Sequence, residues 1–383
     1  MARVARWVLC GLLLVSVGAG VGRADGGGDG VVLWAAPVTT VAMGVPIPVS
    51  AWQIAYATQD AQGGAVVAVG TLLVPRAPWA GPGVRPLLSY QEAEDSVAER
   101  CAVSHTLRDG FAAPPGAALG GAMVMAEAAL ARGWAVIAPD YEGPRSEFFS
   151  GPMAAHAVLD GIRAALRFAP AGLSPDAPVG VMGYSGGAFA SGWAAEQQAR
   201  YAPEINLVGA ALGGVPGDLR KVFRDIDGGP YAGFLVGGLI GLTRAFPEDG
   251  LGSILNDAGR QVVDADRNHC VGELLAGHPF LRLSTLTTIP DPIGAGPLAQ
   301  TLADNSLGAV TPRAPVLEYH ASGDEVVTLP AADTVLDRYC AAGATVARLR
   351  EPGEHMTGGV TAVPRLLSYL ADRFAGVAAP NDC

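Results

Sequence analysis

Pro178-Val-Gly-Val-Met-Gly-Tyr-Ser-Gly-Gly-Ala-Phe-Ala-Ser-Gly-Trp193 is the stretch whose reading decides the fold. An apolar run, Val179 to Met182, reads as a buried strand. The run of small residues after Ser185 (Gly186, Gly187, Ala188, Ala190, Gly192) reads as a helix packed closely on its neighbours. Between them the chain has room only for a very tight turn, with Ser185 at its apex. Gly183 and Gly187 stand two residues to either side, where backbones crowd too closely for side chains. The five-residue pattern alone is weak: with 52 glycines in 383 residues, chance gives about 0.3 such matches. The strand before it and the helix after it make it specific.

Working outward, strands alternate with helical patterns. Strands are expected near 65–74, 86–90, 134–139 and 206–212, and helices over 117–132 and 154–168. Residues 25–60, with Pro37, Pro46 and Pro48, read as irregular. The alternation resumes late, with strands at 316–320 and 345–350 and helices at 331–341 and 361–374. This rhythm predicts an α/β fold, a mostly parallel sheet with helices on both faces. It breaks between Gly213 and about Val310. That stretch holds a Gly-rich apolar segment, 230–243, too short to span a bilayer. The expected organisation is a core of residues 25–216 and 311–383 and an inserted helical cap, or lid, of residues 217–310.

Residues 1–24 read as a secretory signal peptide. Arg3 and Arg6 precede an apolar run from Trp7 to Val17, and Gly22 and Ala24 suit cleavage before Asp25. Cleavage there removes three arginines and no acid, so the net charge moves from −11 to about −14. A chain so acidic is not expected to bind nucleic acid, nor to be drawn to anionic lipid. Contact with a lipid interface would be apolar and transient. Four cysteines remain after cleavage: Cys101, Cys270, Cys340 and Cys383. An even number in an exported chain reads as two disulfides, and three pairings are open. The protein is expected to be secreted, either free or held in the cell envelope, and to act as a monomer.

Glycine two before and two after a serine, at a strand-to-helix turn, is the nucleophile elbow of an α/β-hydrolase. A serine hydroxyl is a weak nucleophile near neutral pH and needs a base, which needs an acid to orient it. In this fold the order is serine, acid, histidine. His355 follows the last expected strand and is the candidate base. His320 falls inside a strand, where it reads as a structural neighbour. Asp324 follows the strand 316–320 and is the candidate acid, with Glu325 and Asp333 as competitors. The oxyanion formed on attack needs preorganised N–H donors. Gly186, directly after Ser185, offers one, and the acidic loop Gln91-Glu-Ala-Glu-Asp95 stands where the second belongs. Tyr184, Phe234, Gly237 and Gly238 are the candidate substrate-binding residues. No metal or cofactor is called for.

Several further blocks make a resemblance specific. They are Ser89-Tyr-Gln-Glu-Ala-Glu-Asp95 with Cys101-Ala-Val-Ser104, Pro139-Asp-Tyr-Glu-Gly143, Leu159-Asp-Gly-Ile-Arg-Ala164 and Gly183-Tyr-Ser-Gly-Gly-Ala188. Later in the chain come Gly213-Gly-Val-Pro216, Gly228-Gly-Pro-Tyr-Ala-Gly-Phe234, Gly323-Asp-Glu-Val326 and Gly353-Glu-His-Met-Thr357. In this order they resemble the secretory lipases similar to Candida antarctica lipase A, over most of the chain beyond the signal. The resemblance implies that Ser185, Asp324 and His355 form a catalytic triad and that Asp95 joins Gly186 in the oxyanion hole. It implies a cap over an acyl-binding tunnel, and disulfides Cys101–Cys270 and Cys340–Cys383. The chain departs from the family pattern at Val327-Thr-Leu-Pro330, which lacks a proline directly after the valine. The implied function is hydrolysis of acyl esters, of triacylglycerols first. A carboxylesterase or acyltransferase on other acyl esters is the alternative, and a non-catalytic lipid-binding protein the remote one.

Overall fold

A computed structural model describes residues 29–39, 41–42, 45–46, 48–109 and 122–383. The expected signal peptide, residues 1–24, lies outside them. Nine strands form one sheet: β1 (Val32–Pro37), β4 (Val49–Gln59), β5 (Ala65–Pro75), β6 (Leu87–Gln91), β7 (Ala135–Pro139), β8 (Val179–Tyr184), β9 (Leu207–Gly213), β10 (Val316–Ala321) and β11 (Val346–Glu351). Their order is β1-β4-β5-β7-β6-β8-β9-β10-β11. From β7 to β11 all neighbours run parallel, while β1, β4 and β5 join antiparallel. Two short strands, β2 (Val41–Ala42) and β3 (Val45–Pro46), pair apart from the sheet.

The parallel strands are covered on both faces, and β6, β7, β8 and β10 are buried at every residue. Helices α3 (Gly151–Arg167), α4 (Gly186–Tyr201) and α10 (Leu329–Ala341) cover one face. Helices α1 (Val103–Asp109), α2 (Ala122–Leu130) and α11 (His355–Phe374) cover the other. One glycine in the elbow strand and one in the helix after it show why small residues stand there: a side chain at Gly180 would press on Leu370 of α11, and one at Gly192 on Leu307.

Residues 25–60, read as irregular, contain two strands of the sheet. Pro37 ends β1 and Pro48 precedes β4, so the prolines sit where strands stop, and Ser50-Ala-Trp-Gln-Ile-Ala-Tyr-Ala-Thr58 pairs along its whole length with β5. The last helix also begins earlier than expected, at His355. Glu354 caps it, accepting from the Met356 and Thr357 N–H groups, and this carries the helix through Gly358 and Gly359.

Between the neighbouring strands β9 and β10 the chain runs through α5 (Leu219–Ile226), α6 (Gly233–Ala245), α7 (Asp257–Asp266), α8 (Val271–Gly277) and α9 (Gly296–Asp304). Helix α6 holds most of the apolar segment and is buried almost throughout. Cys101 is joined to Cys270 and Cys340 to Cys383. Among the described residues no helix is long and apolar enough to cross a membrane.

Candidate active site

Ser185 stands between β8 and α4 with φ 54 and ψ −124, a conformation that an L side chain adopts only when its surroundings enforce it. Its N–H donates to Gly213 O across the sheet, and its carbonyl accepts from Phe189 N–H to start the helix. The glycines around it are required by space. A Cβ on Gly183 would lie 2.2 Å from the Gly187 backbone, and one on Gly187 would lie 2.0 Å from Gln91 O.

The structure brings Ser185, His355 and Asp324 into one hydrogen-bonded chain at the carboxyl ends of β8, β11 and β10. His355 Nε2 lies 3.0 Å from Ser185 Oγ, and His355 Nδ1 lies 2.7 Å from Asp324 Oδ2. With the proton on Nδ1 donated to Asp324, Nε2 is free to accept from the serine. The other Asp324 oxygen accepts from Val326 and Val327 N–H at 3.0 and 2.8 Å, which fixes the carboxylate in its turn. All three side chains are buried.

The two competing acids have other partners. Glu325 accepts from the His355 backbone N–H and from the Tyr231 hydroxyl. Asp333 pairs with Arg350. Asp324 alone meets the imidazole.

Asp95 follows β6 with φ 48, and its carboxyl lies directly over Gly186. It is 1% exposed, and among the described residues Oδ1 has no hydrogen-bond partner. Burial, with Glu92 nearby, pushes its carboxyl up to about 7. The loop is strapped to the helical insertion. Val97 N–H donates to His269 O, Val271 N–H to Ser96 Oγ, and the Cys101–Cys270 disulfide lies beside them.

Beside Ser185, Gly186 and Asp95, a small cavity is lined by Phe148, Phe149, Val222, Ile226, Phe234 and Val327, among others. Its free space is about 20 Å³, room for about one water, so an acyl chain fits only if a wall moves. Phe234 is in that wall. Tyr184 is not: its hydroxyl donates to His355 O and its ring fills the space left by Gly213, Gly358 and Gly359. Gly237 and Gly238 leave room for Phe148 and Phe149 respectively. Those two rings stack at 3.9 Å, and Phe149 itself has φ 65. The sequence reading missed this pair. The adjacent aromatics in Glu147-Phe-Phe-Ser150 were the available signal, but no periodicity aims them at Ser185.

A parallel sheet with the β6–β8–β9–β10–β11 order, a strained serine after β8 and a histidine after the last strand define an α/β-hydrolase. A family model described as secretory lipase matches residues 115–382, and the chain belongs to that family. It is similar to a probable inactive lipase of Mycobacterium tuberculosis, 36% identical over 91% of this chain and 79% of that one. It is likewise similar to a secreted triacylglycerol lipase of Malassezia globosa, 33% identical over 82% of this chain and 68% of the relative. The solved structure of Candida antarctica lipase A superposes with a TM-score of 0.85 at 30% identity, covering 93% of this chain and 84% of that one.

Proposed function

We propose that this protein is an exported serine lipase that cleaves fatty-acyl esters, triacylglycerols among them, through an acyl-enzyme. Ser185 attacks the ester carbonyl while His355 takes its proton, and Asp324 stabilises the imidazolium. The Gly186 and Asp95 N–H groups hold the oxyanion. His355 then protonates the leaving alcohol, and the same imidazole activates the water that releases the acid. Residues 217–310 act as the cap, with Phe234 against the acyl chain.

One observation carries this reading: the continuous contact from Ser185 through His355 to Asp324. One relative is named a probable inactive lipase. In this chain His355 lies within hydrogen-bond distance of both Ser185 and Asp324, which supports catalysis over lipid binding alone. The small free space beside Ser185 favours a second reading, an esterase or acyltransferase for short acyl groups.

The test is hydrolysis of p-nitrophenyl esters from two to eighteen carbons, and of emulsified triacylglycerol, by the wild type and by Ser185→Ala. Loss of about 10⁴-fold or more in the variant is expected, together with loss of fluorophosphonate labelling. A loss under tenfold would end the proposal. Wild-type activity confined to the shortest esters would favour the second reading.

A further inference from the structure

Behind the Ser185–His355–Asp324 chain stands a second buried histidine. His320 lies in β10, four residues before Asp324, with no exposed surface. Its Nδ1 lies 2.8 Å from Glu318 Oε1, and its Nε2 lies 2.7 Å from Val327 O. A carbonyl oxygen only accepts, so Nε2 carries a proton. Glu318 has the Arg350 guanidinium donating to its other oxygen, so Nδ1 faces the free oxygen of an ion pair, an acceptor as well. A ring with acceptors on both nitrogens is an imidazolium. Burial opposes that charge, but Glu318, the Val327 carbonyl and Asp324 outweigh it and hold the ring's pKa above its ordinary value.

His320 Nε2 also lies 3.6 Å from Asp324 Oδ2, the oxygen that meets His355. Charges therefore alternate in one row: Asp333, Arg350, Glu318, His320, Asp324. We propose that His320 is a positioning residue for the reaction: a buried cation that pins the Asp324–Val327 turn through the Val327 carbonyl and offsets part of the Asp324 charge facing His355. The inference rests on the reading of Ser185, His355 and Asp324 as the reacting groups. The remaining polar groups around His355 are Glu325 on its backbone N–H, Glu354 capping α11, and Tyr184, whose ring lies against it and whose hydroxyl donates to its carbonyl. None of these is changed in the test.

The test is the pH profile of kcat/KM on a soluble short p-nitrophenyl ester for the wild type, His320→Gln and Glu318→Gln, with Ser185→Ala alongside. Gln at 320 keeps a donor near Val327 O and removes the charge. Gln at 318 removes the anion that holds the charge. Without a cation beside Asp324, protonation of His355 becomes easier, so the acid-side midpoint should rise by about half a unit to one unit in His320→Gln and by less in Glu318→Gln. A role in packing alone lowers kcat and leaves the midpoint where it is, and that result overturns the inference. Nitrogen-15 NMR of histidine-labelled wild type needs no variant to fold. A neutral His320 ring at pH 7 overturns it equally, and a doubly protonated ring supports it. Wild-type activity in Ser185→Ala would instead sink the underlying reading of the site.

Discussion

Asp95 lies so close over Gly186 that a methyl group at residue 186 would sit 1.8 Å from the Asp95 Oδ1. The glycine at 186 is thus needed to make room for the carboxyl. Gly186→Ala must push the Asp95 loop away from Ser185, and the expected loss in kcat is about 10²-fold or more with the fold retained. Steady-state kinetics beside a circular dichroism spectrum check it. Activity above a tenth of wild type would show that the loop's position is irrelevant.

Buried carboxyls predict a protein more stable in mild acid than at neutral pH. Burial pushes Asp95, Asp140 and Glu196 up to about 7, and pushes Glu94 and Glu142 well above the carboxylate range. Their ordinary values are 3.8 for aspartate and 4.5 for glutamate. Between about pH 4 and 7 the unfolded chain therefore releases protons that the folded chain keeps. Stability from these groups is complete below that window and is lost as pH rises through it. Asp109 and Glu204 are held low by arginines and act oppositely, but only below their ordinary range. The melting temperature should fall steadily from pH 5 to pH 8. A flat or rising profile would contradict the assignment.

The two disulfides should differ in what they protect. By loop length, 169 residues for Cys101–Cys270 and 43 for Cys340–Cys383, they stabilise by about 5 and about 4 kcal/mol in the chain-entropy picture. Only the first lies on the Asp95 loop. Paired Cys→Ser variants, assayed well below their melting temperatures, should both melt early, yet only Cys101→Ser/Cys270→Ser should lose turnover. Equal losses would mean that the bridge does not steady the loop.

Phe149 is the wall expected to yield. Phe149→Ala removes a ring packed on Phe148, Phe189 and Phe223, at a cost of about 3–5 kcal/mol. Space should open beside Ser185, so the ratio of kcat/KM for long over short p-nitrophenyl esters should rise several-fold. An unchanged ratio would place the acyl path elsewhere.

Much of this was legible because local chemistry dictated it. The elbow is spelled out by Gly183, Ser185 and Gly187, since backbone contacts near 2 Å leave no other choice. The parallel strands show as apolar runs because they are buried on both faces. The candidate histidine, His355, and acid, Asp324, were named from order along the chain, with Glu325 and Asp333 left as competitors that only the side-chain contacts separate. What the sequence could not display depends on distant segments meeting. Phe148 and Phe149 reach the site only because α6 carries glycines where they pack. Tyr184, next to the serine in sequence, alternates to the opposite side of the strand end and supports His355 from below. Strands β1 and β4 were hidden by their flanking prolines.

The ties between 96–101 and 269–271 also set the mechanics of the site. A hydrogen bond at each of Val97 and Val271 and a covalent bridge hold that rim as one piece with the Asp95 loop. On the far rim, the insertion meets the Asp324 turn and the residues after it through hydrogen bonds: the Tyr231 hydroxyl donates to Glu325, the Thr328 hydroxyl to Asp225 and the Asp218 N–H to Ala331 O. The helices beside Ser185 are thus hung like a door, with a covalent jamb on the Asp95 side and a hydrogen-bonded latch on the Asp324 side. A substrate that needs more room would enter past the latch.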